Sequence, residues 1–235
     1  MAFLSYLFDY NGVLVDDESV HLAAFRDVLV PYGVSVSDSD YKAKYLGFDD
    51  VGAFRAILAD NAIQFDATLI RSLVDAKKPA YLERAARGLS LFPGASELLK
   101  RLATNGALIG IVSGALRQEI ELGLRMLGAE SYVRFIVSAE ETTECKPDPE
   151  GYLIGRSRLV DHAGDTTAKR VLVVEDSLAG IEAARAASMP CLAVSHSYKA
   201  DELTRAGAAA VVSSLAEIDD RLLADLAAKV YGNDA

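Results

Sequence analysis

The chain has 235 residues, 51% of them hydrophobic and 25% charged, enough for one sizeable core or a core with a smaller partner domain. Its formal net charge is −10 and its pI is near 4.8, which argues against nucleic acid or an anionic membrane as a bulk partner. A phosphate-bearing ligand is not excluded, because one lysine or one helix N-terminus can outweigh the global field locally.

The first apolar run, Phe3 to Phe8, ends at Asp9. Runs of the same kind recur at Ala107 to Val112, Arg134 to Val137, Val171 to Val174, Cys191 to Val194 and Ala209 to Val212. Runs that are apolar throughout suit strands covered on both faces, as in a parallel sheet. Amphipathic segments alternate with them, including Gly94–Ala103, Ala115–Leu127 and Leu178–Ala187. Strand and helix in alternation predict an α/β fold with a Rossmann-like, doubly wound parallel sheet.

The stretch from about Asp17 to Gly88 breaks that rhythm. Ser19–Val30, Ser39–Leu46, Val51–Asn61 and Ala67–Arg87 all carry helical spacing, and Pro93–Gly94 marks the return to the sheet. The expected organisation is a core of residues 1–16 and 89–235, with a helical cap of 17–88 inserted after the first strand. Cap opening and closing would admit substrate and exclude water.

Ligands of such sheets bind outside the carboxyl ends of the strands. Asp9, Ser113 and the pair Glu175–Asp176 each follow an apolar run directly, so three runs deliver polar or acidic groups to one rim. Cys145 and Cys191 give neither a metal-ligand spacing nor a disulfide framework. With no signal peptide and no apolar run of about 18 residues, the expected setting is the reducing cytoplasm.

The segment Phe8-Asp9-Tyr10-Asn11-Gly12-Val13-Leu14-Val15-Asp16 resembles motif I of the haloacid dehalogenase (HAD) superfamily. Ser113 resembles motif II, Lys146 in Lys146-Pro147-Asp148-Pro149 resembles motif III, and Glu175-Asp176-Ser177 with Gly180 resembles motif IV. Each alone is a weak signal; together, in this order, they cover nearly the whole core. Asp16-Asp17-Glu18-Ser19-Val20-His21, Leu46-Gly47 and Phe92-Pro93-Gly94 are similar to the β-phosphoglucomutase-like branch, whose members carry a helical cap.

The resemblance implies a phosphoryl-transfer enzyme acting on a small phosphorylated metabolite. Asp9 is its covalent nucleophile. Magnesium is its cofactor, held by Asp9, the backbone carbonyl of Asn11, Glu175 and Asp176, with Glu175 either a third carboxylate ligand or an orienting neighbour. Lys146 would pair with the phosphate and with Asp9. Ser113, Gly114 and the amides near Gly12 would hold phosphate oxygens, with Lys77 and His21 as further substrate contacts; Arg117, just after Ser113, is a candidate rim residue facing the ligand.

Asn11 departs from the pattern, because phosphatases and mutases of this superfamily have an Asp there as general acid and base. An amide cannot take up and release that proton at neutral pH. An Asp-to-Asn change made to trap a complex, a slow enzyme or one whose leaving group needs little protonation, and a phosphometabolite-binding protein that kept the fold all fit this residue. A bisphosphate mutase is disfavoured, because Leu46 and Asp50 stand where β-phosphoglucomutases carry basic residues. Phosphonoacetaldehyde hydrolases place a Schiff-base lysine shortly after the Gly47 element; here only Lys42 and Lys44, which precede it, are near.

Overall fold

The computed structural model describes residues 3–46 and 48–232. Gly47 of the Leu46-Gly47 element lies outside the described residues. The chain divides into two compact units, one of Met1–Asp16 and Leu91–Ala235, the other of Asp17–Ser90.

Among the described residues, the main sheet of the larger unit has six strands: β1 Ser5–Phe8, β2 Leu108–Val112, β3 Phe135–Val137, β4 Val171–Glu175, β5 Cys191–Val194 and β6 Ala210–Val212. They pair in parallel in the order β3-β2-β1-β4-β5-β6. These are the six apolar runs of the sequence, with ends that differ by at most two residues. Successive residues point to opposite faces. Tyr6, Phe8, Ile109, Ile111, Leu172 and Val174 join one buried cluster. Leu7, Val112, Val171 and Val173 join the other, so both faces are covered and neither needs polar residues. Helices Ala95–Thr104, Arg117–Leu127 and Asp220–Tyr231 supply the first cluster. Glu150–Ala163, Leu178–Ala186 and Ala200–Ala206 supply the second.

Strand order then fixes where chemistry can occur. From β1 the chain builds outward through β2 and β3, then returns to the other side of β1 with β4, β5 and β6. The order therefore reverses between β1 and β4, and the crevice at their carboxyl ends is the natural ligand site. Phe8 stands level with both Ile111 and Val174, so Asp9 emerges one step beyond, beside Glu175.

The smaller unit is helical, with helices Glu18–Leu29, Asp50–Asp60 and Ala67–Ala85 around a core that includes Leu22, Phe25, Phe54, Ile57 and Leu73. Asp49 and Asp66 begin the last two of these by accepting from the amides of Gly52 and Leu69 at 2.7 and 2.8 Å. The helix expected over Ser39–Leu46 is instead a short α-turn, Asp38–Asp40, running into a π-turn, Tyr41–Tyr45. The Ser37 hydroxyl caps its start at Asp40, and the wider turn buries both Tyr41 and Tyr45. Among the described residues, no helix is long and apolar enough to cross a membrane.

Candidate active site

Asp9 sits just past β1 and is 8% exposed, with its amide bonded to the Val174 carbonyl at 2.9 Å. Its Oδ1 lies 2.9 Å from Lys146 Nζ. The same ammonium lies 2.6 Å from Glu175 Oε1 and donates to the Val112 carbonyl at 3.3 Å. Three elements that are far apart in sequence thus meet on one cation.

Glu175, fully buried at the end of β4, is the hub of the cluster. Its Oε1 accepts from Lys146 and from the Tyr152 hydroxyl at 2.7 Å. Its Oε2 accepts from the amides of Asp176 and Ser177 and from the Ser177 hydroxyl at 3.0–3.2 Å. An ionised carboxylate offers about four lone-pair sites. Glu175 can therefore give an oxygen to a cation only by releasing one of these donors. Ser177 also caps the following helix, accepting from the Gly180 amide at 3.0 Å.

Two glycines make the close approach possible. A Cβ on Gly180 would stand 1.9 Å from the Glu175 carboxyl group, and a Cβ on Gly12 would stand 2.1 Å from Asp176 Oδ2. Gly12 also has φ +74°, a left-handed conformation that favours glycine. Gly180→Ala is expected to lower stability by about 1–3 kcal/mol through overpacking against the hub. The check is a lowered urea midpoint with an unchanged slope.

The charges do not balance within the protein. Asp9, Glu175 and Asp176 can each offer a carboxylate oxygen, all within 4.8 Å of one another. Among the described residues the ammonium paired with Asp9 and Glu175 is that of Lys146. Burial, opposed mainly by Lys146, pushes the Asp9 carboxyl up to about 6. Burial and the neighbouring Glu175 and Asp9 hold Asp176 well above the usual carboxylate range. Burial also acts on Glu175, but Lys146 and its hydrogen bonds outweigh it and keep that group low. Lys146 stays charged because Asp9 and Glu175 more than offset its own burial. Surplus buried negative charge on hard oxygen donors is the environment that suits a divalent cation such as Mg²⁺.

The other expected site residues divide. Ser113 is buried, donates to Asn11 Oδ1 at 3.2 Å and accepts from the Ala115 amide at 3.2 Å. That places Asn11 and Ser113 together beside Asp9, and Gly114 follows in the exposed turn. Gly12 differs from expectation: its amide donates to the Val15 carbonyl at 2.9 Å, closing the local turn rather than facing a ligand. Arg117 differs too. Its guanidinium donates to the Ile136 carbonyl in β3 and to Glu141 just beyond that strand, at 3.0 and 2.8 Å.

Lys77 and His21 belong to a network inside the helical unit. Lys77 is fully buried, pairs with Asp50, lies 2.8 Å from His21 Nδ1 and sits over the Phe25 ring at 4.3 Å. His21 Nε2 lies 3.2 Å from Asp17, which also accepts from the Tyr81 hydroxyl at 2.5 Å. Lys77 is thus neither a solvated surface lysine nor a rim residue with a free ammonium: Asp50 compensates it in the interior. Lys44 is about half exposed, and its hydrogen bond to Asp40 raises its pKa, opposite to what an amine nucleophile needs. Of the two cysteines, Cys145 is exposed and Cys191 buried.

Three residues of this region were missed in the sequence. Tyr152 comes from the first turn of the helix Glu150–Ala163 and carries no local motif. His196 and Ser197 follow β5, where the rule that picked Asp9, Ser113 and Glu175 from strand ends points equally well. His196 Nδ1 donates to the Gly12 carbonyl at 2.8 Å and its ring stacks on Phe92 at 3.8 Å, while Ser197 Oγ donates to Asp176.

A family model described as haloacid dehalogenase-like hydrolase matches residues 6–194. SUPPRESSOR OF QUENCHING 1, a chloroplast protein of Arabidopsis thaliana, is 31% identical over 90% of this chain, which spans only 20% of that protein's length. A phosphorylated carbohydrates phosphatase of Thermotoga maritima is 28% identical, over 88% of this chain and 92% of its own. The crystal structure of a β-phosphoglucomutase from Clostridium difficile superposes with a TM-score of 0.81, covering 97% of this chain and 99% of that one; at 20% identity it speaks for the fold.

Proposed function

Because the chain belongs to the haloacid dehalogenase-like hydrolase family, we propose that it is a Mg²⁺-dependent phosphatase that hydrolyses the monoester of a small phosphorylated metabolite, a sugar phosphate. The observation that carries this reading is the cluster at the β1–β4 crevice, where a buried carboxylate, Asp9, lies beside one ammonium and two further carboxylates. The Thermotoga relative, named for phosphorylated carbohydrates, supports the substrate class.

In this reading Asp9 and Asp176 hold the cation by their carboxylates and Asn11 by its backbone carbonyl, with Glu175 orienting Lys146. The bound Mg²⁺ supplies charge neutralisation at the transferring group. Asp9 attacks phosphorus, the ester oxygen leaves, and an aspartyl-phosphate forms on Asp9. Lys146 holds charge that develops on the phosphoryl oxygens. Water then attacks phosphorus, inorganic phosphate departs and the Asp9 carboxylate returns. The ester oxygen must gain a proton in the first half and the water must lose one in the second. By the family resemblance an Asp at position 11 would make both transfers; as Asn it performs neither, and the protons pass to and from solvent.

The test is phosphate release from a panel of sugar and other small monophosphates, by this chain and by Asn11→Asp, with Mg²⁺ and after chelation. Release that disappears on chelation and returns with Mg²⁺ is the expected result. Asn11 favours a second reading, a protein that binds a phosphorylated metabolite without turning it over. Binding of Mg²⁺ and inorganic phosphate without release from any ester by either form would move the conclusion there.

A further inference from the structure

Asp176 is held from a direction that the four sequence motifs do not include. The turn after β5 begins where the Ser195 amide bonds the Val212 carbonyl at 2.9 Å. The next residue, His196, is pinned by stacking on Phe92 at 3.8 Å, with 8° between the rings, and donates from Nδ1 to the Gly12 carbonyl at 2.8 Å. The residue after that, Ser197, donates from Oγ to Asp176 Oδ2. The backbone of Gly12 closes on this same oxygen so tightly that a Cβ there would stand 2.1 Å away. One turn therefore braces both walls around Oδ2: the hydroxyl contacts it directly, and the imidazole fixes the glycine beside it.

A carboxylate flanked by two others has every electrostatic reason to rotate away from them. The carboxylate oxygens that Asp9, Glu175 and Asp176 can offer lie within 4.8 Å of one another, so the direction in which Asp176 points decides whether it can share a cation with Asp9. We infer that Ser197 is a positioning residue for the divalent cation, holding Asp176 by Oδ2 so that Oδ1 is the ligand oxygen. The inference rests on the metal-dependent reading above. Groups that orient metal ligands in this way typically change affinity by about 10- to 100-fold when removed.

The experiment is calorimetric titration of the purified chain with MgCl₂ and no substrate, comparing Ser197→Ala, Ser197→Thr and Asp176→Ala. Ser197→Ala is expected to weaken Mg²⁺ binding about tenfold or more, with the melting temperature in chelator unchanged. Ser197→Thr keeps the hydroxyl and is expected to keep the affinity, which a purely steric role for the turn does not predict. Unchanged affinity in Ser197→Ala, with binding lost in Asp176→Ala, overturns the inference and leaves the metal-dependent reading standing. Equal weakening in both Ser197 variants overturns it as well, because the hydroxyl is then not the cause. Failure of the unaltered chain to bind Mg²⁺ overturns the inference and the reading together.

Discussion

Asn11→Asp is expected to raise phosphate release from the preferred substrate about 10² to 10⁴-fold, the usual worth of general acid–base catalysis. The change replaces one NH₂ by an oxygen and keeps the volume, so the surrounding contacts should survive. Residue 11 already has its side-chain oxygen 3.2 Å from the Ser113 hydroxyl, which an aspartate can keep as an acceptor. The new carboxyl would join Asp9, Glu175 and Asp176, and like charges close together raise one another's proton affinity. That is the direction a general acid needs in order to be protonated when the ester oxygen leaves. Adding Asp9→Asn to the improved background is expected to return release to the uncatalysed level, because the nucleophile itself is gone. Retained turnover in that double variant would sink the aspartyl-phosphate mechanism. A chain already fast with Asn11, and unmoved by Asn11→Asp, would mean that the leaving group needs no proton.

Much of this is legible in the sequence. The six strands announced themselves because a parallel sheet buried on both faces has no polar side, so each strand reads as an uninterrupted apolar run. The rim residues followed, since Asp9, Ser113 and Glu175 come directly after such runs. The side chains that join the rim were harder to read, because their partners lie far off in sequence. Tyr152 donates to Glu175 across 23 positions, and His196 reaches Gly12 across 184. Lys77 is expected at the substrate, yet Asp50, His21 and the Phe25 ring line a buried place for its ammonium. Arg117 was assigned to the ligand by its nearness to Ser113 in sequence, but Glu141 and the Ile136 carbonyl take its guanidinium.

Lys146→Met is the second large effect, and it separates stability from catalysis. Removing the ammonium leaves Asp9 and Glu175 without the cation that lies 2.9 and 2.6 Å from them. Breaking a buried ion pair from one side typically costs about 3–5 kcal/mol, because a desolvated charge is left unanswered. Phosphate release should fall by at least about 10²-fold, the cost of losing one donor to the developing charge. The stability loss should be largest in chelator, where no Mg²⁺ shares the negative charge, and should shrink as MgCl₂ is added. Its pH dependence has a fixed sign. A carboxyl whose folded pKa exceeds its unfolded value binds protons more tightly when folded, so its cost appears as pH rises through the folded pKa. Asp9, already pushed up to about 6 with Lys146 in place, moves further up without it. In chelator the variant should therefore approach the unaltered chain in urea midpoint as pH falls toward 5, and diverge from it above 7. A gap that stays constant across this range would mean that Lys146 stabilises by packing over the Tyr152 ring, 5.3 Å from its ammonium, rather than by its charge.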